Sequence, residues 1–424
     1  MIDRYFKQNV IGISGAEFFW GLGLPVVLES TFLQLFLKNL GASSFQVGLI
    51  PAFSFLGSSV FALISSYLTE GLETKRRSVI FLHLISGFSM VFFGASLFFV
   101  GEQAPVLSIF FISYAVFSIC VGMTIPVWLN YLVSIFTEER SFSGLGFMLL
   151  AQNFARLSSS LMIVKFVEKY AFSQTSSAGI FLVVGLLFCV GGLFFLLTKE
   201  IPTPDVGAGM GRGSFWTYVQ NTGRQIFQNR NFLLFLVGDM DFYVIVTVIS
   251  FYANFATAFC GIETSIAAGF FVSFIYIGAI MTNILLGSLD MLAPRNKYVL
   301  SKIASMSALL LLMAFGTLWG FFLASFLLGV ARGARMVVYP PAIKKLSGLK
   351  DVTGYFAVAP ILTMPFALLL PMAYGYFLDL FSHLRGDSYR IVFLMSLVLV
   401  VGSLLTILRV DFQNNRREVP AIKR

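Results

Sequence analysis

Apolar stretches long enough to cross a bilayer, at about 1.5 Å of rise per helical residue, dominate this chain. They run from Ile11 to Leu37, from the turn at Ser43–Gln46 to Thr69, Ser78 to Val100, Val106 to Ile135, Phe142 to Val167 and Ser177 to Leu197. A polar interruption follows from Lys199 to Arg230, carrying Glu200, Asp205, Arg212, Arg224 and several glycines. Six further apolar stretches cover Asn231 to Phe259, Thr264 to Leu289, Tyr298 to Thr317, Leu318 to Ile343, Val352 to Phe377 and Ile391 to Leu408. The pattern predicts an all-α membrane protein: an N-terminal six-helix bundle over 1–198, a hinge over 199–230, and a C-terminal six-helix bundle with a short basic tail over 231–424. Strand-like alternation is absent, and helices satisfy their own backbone in lipid, so a barrel is excluded.

Two local signals refine the map. Ser43 and Gln46 have capping-box spacing at the start of predicted helix 2. In the hinge, Phe215, Trp216, Val219 and Ile226 recur at helical spacing with Gln220, Arg224 and Gln225 between them, which predicts an amphipathic helix in the membrane interface.

Of 424 residues, 58% are hydrophobic and 12% charged, about half the charged share of a soluble domain. The net charge of +9 therefore reads as loop topology and not as nucleic-acid binding. With the N-terminus cytoplasmic, the loops on that side, the hinge and the tail hold twenty lysines and arginines and the opposite loops five. Both termini are accordingly expected on the cytoplasmic side of a cell membrane. The first apolar stretch is too long for a removable signal and has no cleavage site, so it is read as a span. Cys120, Cys189 and Cys260 offer neither a disulfide framework nor ligand spacing, and no metal or cofactor is expected. The hinge glycines do not link a strand to a helix, so they do not form a phosphate-binding loop.

After predicted helix 2 the chain reads Ser66-Tyr-Leu-Thr-Glu70 and then Lys75-Arg76-Arg77; after predicted helix 8 it reads Gly287-Ser-Leu-Asp290 and then Arg295. These loops resemble degenerate forms of the glycine-aspartate-arginine signature of the major facilitator superfamily, and the resemblance extends over nearly the whole chain. Ser66 and Glu70 depart from the family's glycine and aspartate. The resemblance implies two six-helix pseudo-repeats around a central cavity lined by helices 1, 4, 7 and 10. It also implies a gate in which Glu70, Lys75, Arg76, Asp290 and Arg295 latch helices on the cytoplasmic side. The alternative is that Lys75, Arg76 and Arg77 are only topology markers. Ser118 stands a turn before Gly122, where the family's proton-driven drug exporters have arginine, and no proline falls between Phe142 and Ser160, so that subclass is disfavoured.

Charges inside spans cost about 2.5–3.5 kcal/mol each at mid-helix unless paired or wet. Glu17, Glu29, Arg156, Asp239, Asp241, Arg332 and Arg335 lie inside predicted spans. Arg332 and Arg335 share a helix face, whereas Asp239 and Asp241, two apart, point in nearly opposite directions. Arg332, Arg335, Arg156, Asn130 and Trp128 are candidate substrate-binding residues, the arginines by offering a bidentate fork to an anionic group. Glu17, Asp239 and Asp241 are candidate proton-coupling residues. The alternative is that these acids and arginines pair only to hold helices together. His83 is read as structural.

The expected function is a secondary active transporter moving a small solute by alternating access, with an anion as the candidate class, coupled to protons, monomeric and in contact with lipid. An integral-membrane lipid-modifying enzyme, or a non-transporting sensor of the same fold, is the alternative. Substrate identity is not legible.

Overall fold

A computed structural model of the chain describes residues 2–28, 31–69, 72–100, 103–136, 138–200, 214–289, 291–348 and 353–412. Among them, twelve helices are long and apolar enough to cross a membrane: α1 Phe6–Val27, α2 Ser44–Thr69, α3 Arg76–Ser96, α4 Pro105–Leu129, α5 Gly144–Tyr170, α6 Gln174–Leu197, α7 Arg230–Phe259, α8 Thr264–Gly287, α9 Pro294–Ala314, α10 Leu318–Ser347, α11 Tyr355–Leu380 and α12 Gly386–Ile407. No strand occurs among the described residues. Each helix falls within a few residues of an apolar stretch. The exception is the first stretch, which divides: α1 closes as Leu28 donates its N–H to the Leu24 carbonyl at 2.9 Å, and helix resumes as a separate segment, Thr31–Asn39. Pro25 contributes no N–H to that last turn.

The capping box at α2 is present. The Gln46 N–H donates to Ser43 Oγ at 3.2 Å and the Ser43 N–H to Gln46 Oε1 at 2.8 Å. Within the first six helices, α3 packs on α6 and α1 on α5; within the last six, α8 and α9 both pack on α10. Lipid-like surroundings give no hydrophobic drive between helices, so close approach of backbones matters more. Gly57 and Gly122 show this between α2 and α4, where a Cβ on Gly122 would lie 2.0 Å from the Gly57 carbonyl oxygen.

Two pairs make the most extensive contacts between the first six helices and the last six: α2 with α11, and α5 with α8. A twofold axis relating each helix to the one six places later exchanges these two pairs. Their tightest approaches lie in the halves of the helices away from the chain termini. A Cβ on Gly48 would lie 2.3 Å from the Pro371 carbonyl oxygen, one on Gly375 2.3 Å from that of Ser44, and one on Gly269 2.4 Å from that of Ser160. Ser160 and Ser273 hydroxyls bond at 2.8 Å beside the last contact. The molecule is therefore sealed on the face opposite its termini, called here the far face.

The predicted interfacial helix is Phe215–Gln228. The ring of Phe215 meets Tyr67 of α2 at 5.1 Å, and Ile226 is fully buried with Phe232, Phe235, Tyr355 and Ile407. Trp216, Arg224 and Phe227 are exposed on its other side. Phe215 and Ile226 thus turn toward the protein and not toward a surrounding bilayer.

Candidate functional site

The strongest concentration of buried charge lies where α7 loses its regular ladder. Helix runs over Arg230–Gly238 and again over Asp241–Phe259. Between them the bonds shorten to three-residue spacing: Asp239 N–H to Leu236 O at 3.2 Å, and Phe242 N–H to Asp239 O at 3.1 Å. At the break, Ser403 Oγ of α12 donates to the Gly238 carbonyl at 2.6 Å, the acceptor that the Phe242 amide would use in a regular α-helix.

The break aims its two aspartates apart, as their spacing predicts. Asp239 faces α10, where Arg335 Nε donates to Oδ1 at 2.9 Å and to Oδ2 at 3.0 Å, and Nη2 donates to Oδ2 at 2.6 Å. The guanidinium carbon also lies 3.9 Å from the Phe242 ring centre and 4.1 Å from that of Tyr339, so its faces are covered as well as its edge. Asp239 sits about 13 Å along α7 from its terminal end at 1.5 Å per residue. Asp241 turns the other way. It accepts from Lys302 Nζ on α9 and from Ser403 Oγ at 3.2 Å, and the ammonium stands 5.4 Å from the Tyr298 ring. Asp239 and Asp241 thus belong to two separate ion pairs.

A second polar cluster belongs to the first six helices. Glu17 of α1 is buried and accepts from Gln152 Nε2 of α5. Arg156, one turn on, is half-buried within electrostatic reach of Glu17, and its guanidinium lies 5.8 Å from the Tyr276 ring of α8. A Cβ on Gly21 would lie 2.7 Å from the Gln152 carbonyl oxygen, and this close backbone approach is what lets the short amide reach the carboxylate. Phe55 of α2 touches Phe242 and Tyr243 of α7, with ring centres 6.3 and 4.9 Å apart, so the first six helices also reach the Asp239–Arg335 pair.

The remaining candidates are more dispersed. Arg332 is half-buried on α10, one turn from Arg335. Trp128 packs against a cluster of Ile13, Val127, Tyr131 and Phe195. The side chain of Asn130, and all of Glu29, Glu70 and Asp290, lie outside the described residues. Of the proposed gate, Arg76 Nη1 donates to the Thr198 carbonyl at 2.7 Å. The amides of Lys75 and Arg76 donate to the Glu200 carboxylate at 2.8–2.9 Å. Arg295 Nη2 donates to the Leu408 carbonyl at 2.8 Å. Each of these contacts stays within its own set of six helices and the adjoining linker. His83 is buried against Trp20 and Phe195, with Nδ1 2.7 Å from the Val79 carbonyl, as its structural reading expects.

Sequence reasoning missed two groups. Lys302 is fully buried; it lies four residues inside the predicted span Tyr298–Thr317, close behind Arg295 and Lys297, and is not among the in-span charges read from the sequence. Its signal was position: it shares a helix face with Tyr298 and Ser305, one turn to either side. The other is Asp379 on α11, near the far face, whose carboxylate binds the start of α2.

Over residues 21–289 the chain matches the family model described as Major Facilitator Superfamily. Comparison with curated proteins gave no match. Among solved structures it is similar to a mutant of the nucleoside transporter NupG, with 11% identity and a TM-score of 0.73 over 94% of this chain and 99% of that one. A POT family transporter in complex with 5-aminolevulinic acid gives 11% identity and 0.70 over 96% and 97%. An inward-facing, unoccupied bacterial homolog of the human lysosomal transporter Spinster gives 14% and 0.64 over 96% of each chain. At these identities the likeness shows the fold alone.

Proposed function

Because this chain belongs to the Major Facilitator Superfamily, we propose that it is a secondary transporter that carries a small anionic solute together with a proton by alternating access. The bidentate Asp239–Arg335 pair carries the reading. It is buried at a break in a membrane helix, it is flanked by rings, and it lies beside the contact of α7 with α2. A guanidinium fork held by a carboxylate is matched to a solute carboxylate or phosphate. A proton on Asp239 frees the fork, the solute anion takes it, and the two travel together. Arg332 extends the positive surface one turn along α10. Arg156 of α5, with Glu17 as its counter-charge, is a further anion-binding group in this reading, and Trp128 and Asn130 of predicted helix 4 are proposed to contact the solute. Asp241, tied to Lys302 and Ser403, holds the break in α7.

In this reading 1–198 and 231–424 are the moving bodies and 199–230 is their tether. The terminal face is cytoplasmic, and Glu70, Lys75, Arg76, Asp290 and Arg295 form the gate on that side. The protein works as a monomer in the cell membrane.

Reconstitution into liposomes containing a pH dye tests this. Small monocarboxylates and phosphate esters, added together with the nucleosides and peptides named for the structural neighbours, are expected to separate: anions carry protons inward and neutral solutes do not. Arg335→Gln should abolish anion binding, and Asp239→Asn should retain solute exchange while losing its pH dependence. Normal anion binding by Arg335→Gln, or a preference for neutral or cationic solutes, sinks the proposal. Orientation is checked separately: a cysteine at Arg77, probed in intact cells with an impermeant thiol reagent, should stay unlabelled.

A further inference from the structure

The contact of Asp379 with α2 joins residues 335 positions apart in the chain, one from each set of six helices. Its Oδ1 accepts the N–H of Ser44 at 2.7 Å and its Oδ2 that of Phe45 at 2.8 Å. These are the first two amides of α2, which have no acceptor within their own helix. A carboxylate placed there also meets the positive end of the helix dipole. The capping box engages the amides of Ser43 and Gln46, so α2 completes part of its own cap and leaves the rest to the other half of the molecule. Lys38 Nζ donates to Ser44 Oγ at 2.9 Å beside them. Burial pushes the Lys38 ammonium below its ordinary value, and the Asp379 charge partly draws it back. A cavity of about 450 Å³, lined among others by Lys38, Asp379, Arg385 and Tyr389, lies against this contact.

We infer that Asp379 is the far-side clasp of the transport cycle: it holds α11 to the start of α2 while the far face is shut, and it must release both amides each time that face opens. The inference rests on the alternating-access reading above. Three features fit a reversible bond better than a fixed one. Both partners belong to bodies that must separate. The approach beneath them is made by Gly48 and Gly375 against bare carbonyls, which part without breaking any interlocked side chains. Ser44 and Asp379 also line the cavity beside the contact, where water can replace the carboxylate on opening.

The test reads distance and not transport. Spin labels on Thr175→Cys and Ser382→Cys, both exposed at the far face on opposite bodies, are placed in a chain whose three native cysteines are alanine. Asp379→Ala, which removes the acceptor of both amides, is expected to raise the open-to-closed ratio by about tenfold, the net scale once water takes over the freed donors. Ser44→Pro removes one of the two donors. Proline is tolerated at the first helical position, and Ser43 already has the extended backbone that proline requires before it. It should shift the distances in the same direction, and Asp379→Ala should add less on top of it than on the parent. Ser44→Ala keeps both amides and loses the hydroxyl's contacts with Lys38 and, across the seal, with Tyr389, so it should shift the distances less than Ser44→Pro. If Asp379→Ala and Ser44→Pro melt like the parent and keep its distances, the clasp is wrong. Solute flux, measured in parallel, separates the two ideas: a chain that transports but whose variants do not open overturns the clasp alone. Variants that open in a chain that moves no solute support the clasp and count against transport.

Discussion

Arg335 is bound along its edge by Asp239 and covered on its faces by Phe242 and Tyr339, so either member of the pair leaves a stranded charge if the other is removed. Loss of one partner from a buried pair typically costs about 3–5 kcal/mol, whereas removing both can be near neutral. Asp239→Ala and Arg335→Ala should each lower the melting temperature of the purified protein markedly, and the double variant should recover much of the loss. An additive double variant would show that the two side chains do not depend on each other. The opposed directions of Asp239 and Asp241 were legible because a two-residue spacing on a helix leaves no alternative. Their partners were only half legible. Arg335 stands out as a charge amid apolar residues. Lys302 sits where a span emerges from a basic loop, and only its burial distinguishes it from a topology marker. Asp379 was invisible for a different reason: its partners are backbone amides of a distant helix, and amides carry no residue-type signal.

At the scale of elements, α2 shows that one helix uses its glycines in two ways. Gly57 meets α4 within the same six helices, whereas Gly48 meets α11 across the seal. Gly122→Ala, whose Cβ would press into Gly57, should therefore reduce stability in every conformation, seen as a lower melting temperature. Gly48→Ala should instead bias the molecule toward an open far face, seen as faster labelling of a cysteine at Asn254 with little change in melting. The outcome that defeats this division is equal loss of stability from both. Helix number and approximate limits were readable from apolar length alone. The break in α7 was not, since the group that satisfies the Gly238 carbonyl there is Ser403, far along the chain.

At the scale of the whole molecule, two joining pairs related by a six-helix offset were foreshadowed by the paired loop signatures, but which face they seal was not. That depends on where close backbone approach is possible, and glycine positions acquire that meaning only once the helices are set side by side. The Asp239–Arg335 pair has one further consequence, which is electrical. Empty, the pair sums to zero; with a proton on the carboxylate and a monovalent anion at the guanidinium, it sums to zero again. A membrane potential does work of about 2.3 kcal/mol per elementary charge per 100 mV, and on this scheme it finds no charge to move in either crossing. Accumulation of a monoanion should follow the pH difference alone, about tenfold per unit, and a potassium diffusion potential of either sign should leave it unchanged. If the imposed voltage drives uptake, a charge other than this pair is crossing the membrane, and the one-proton, one-anion scheme is wrong.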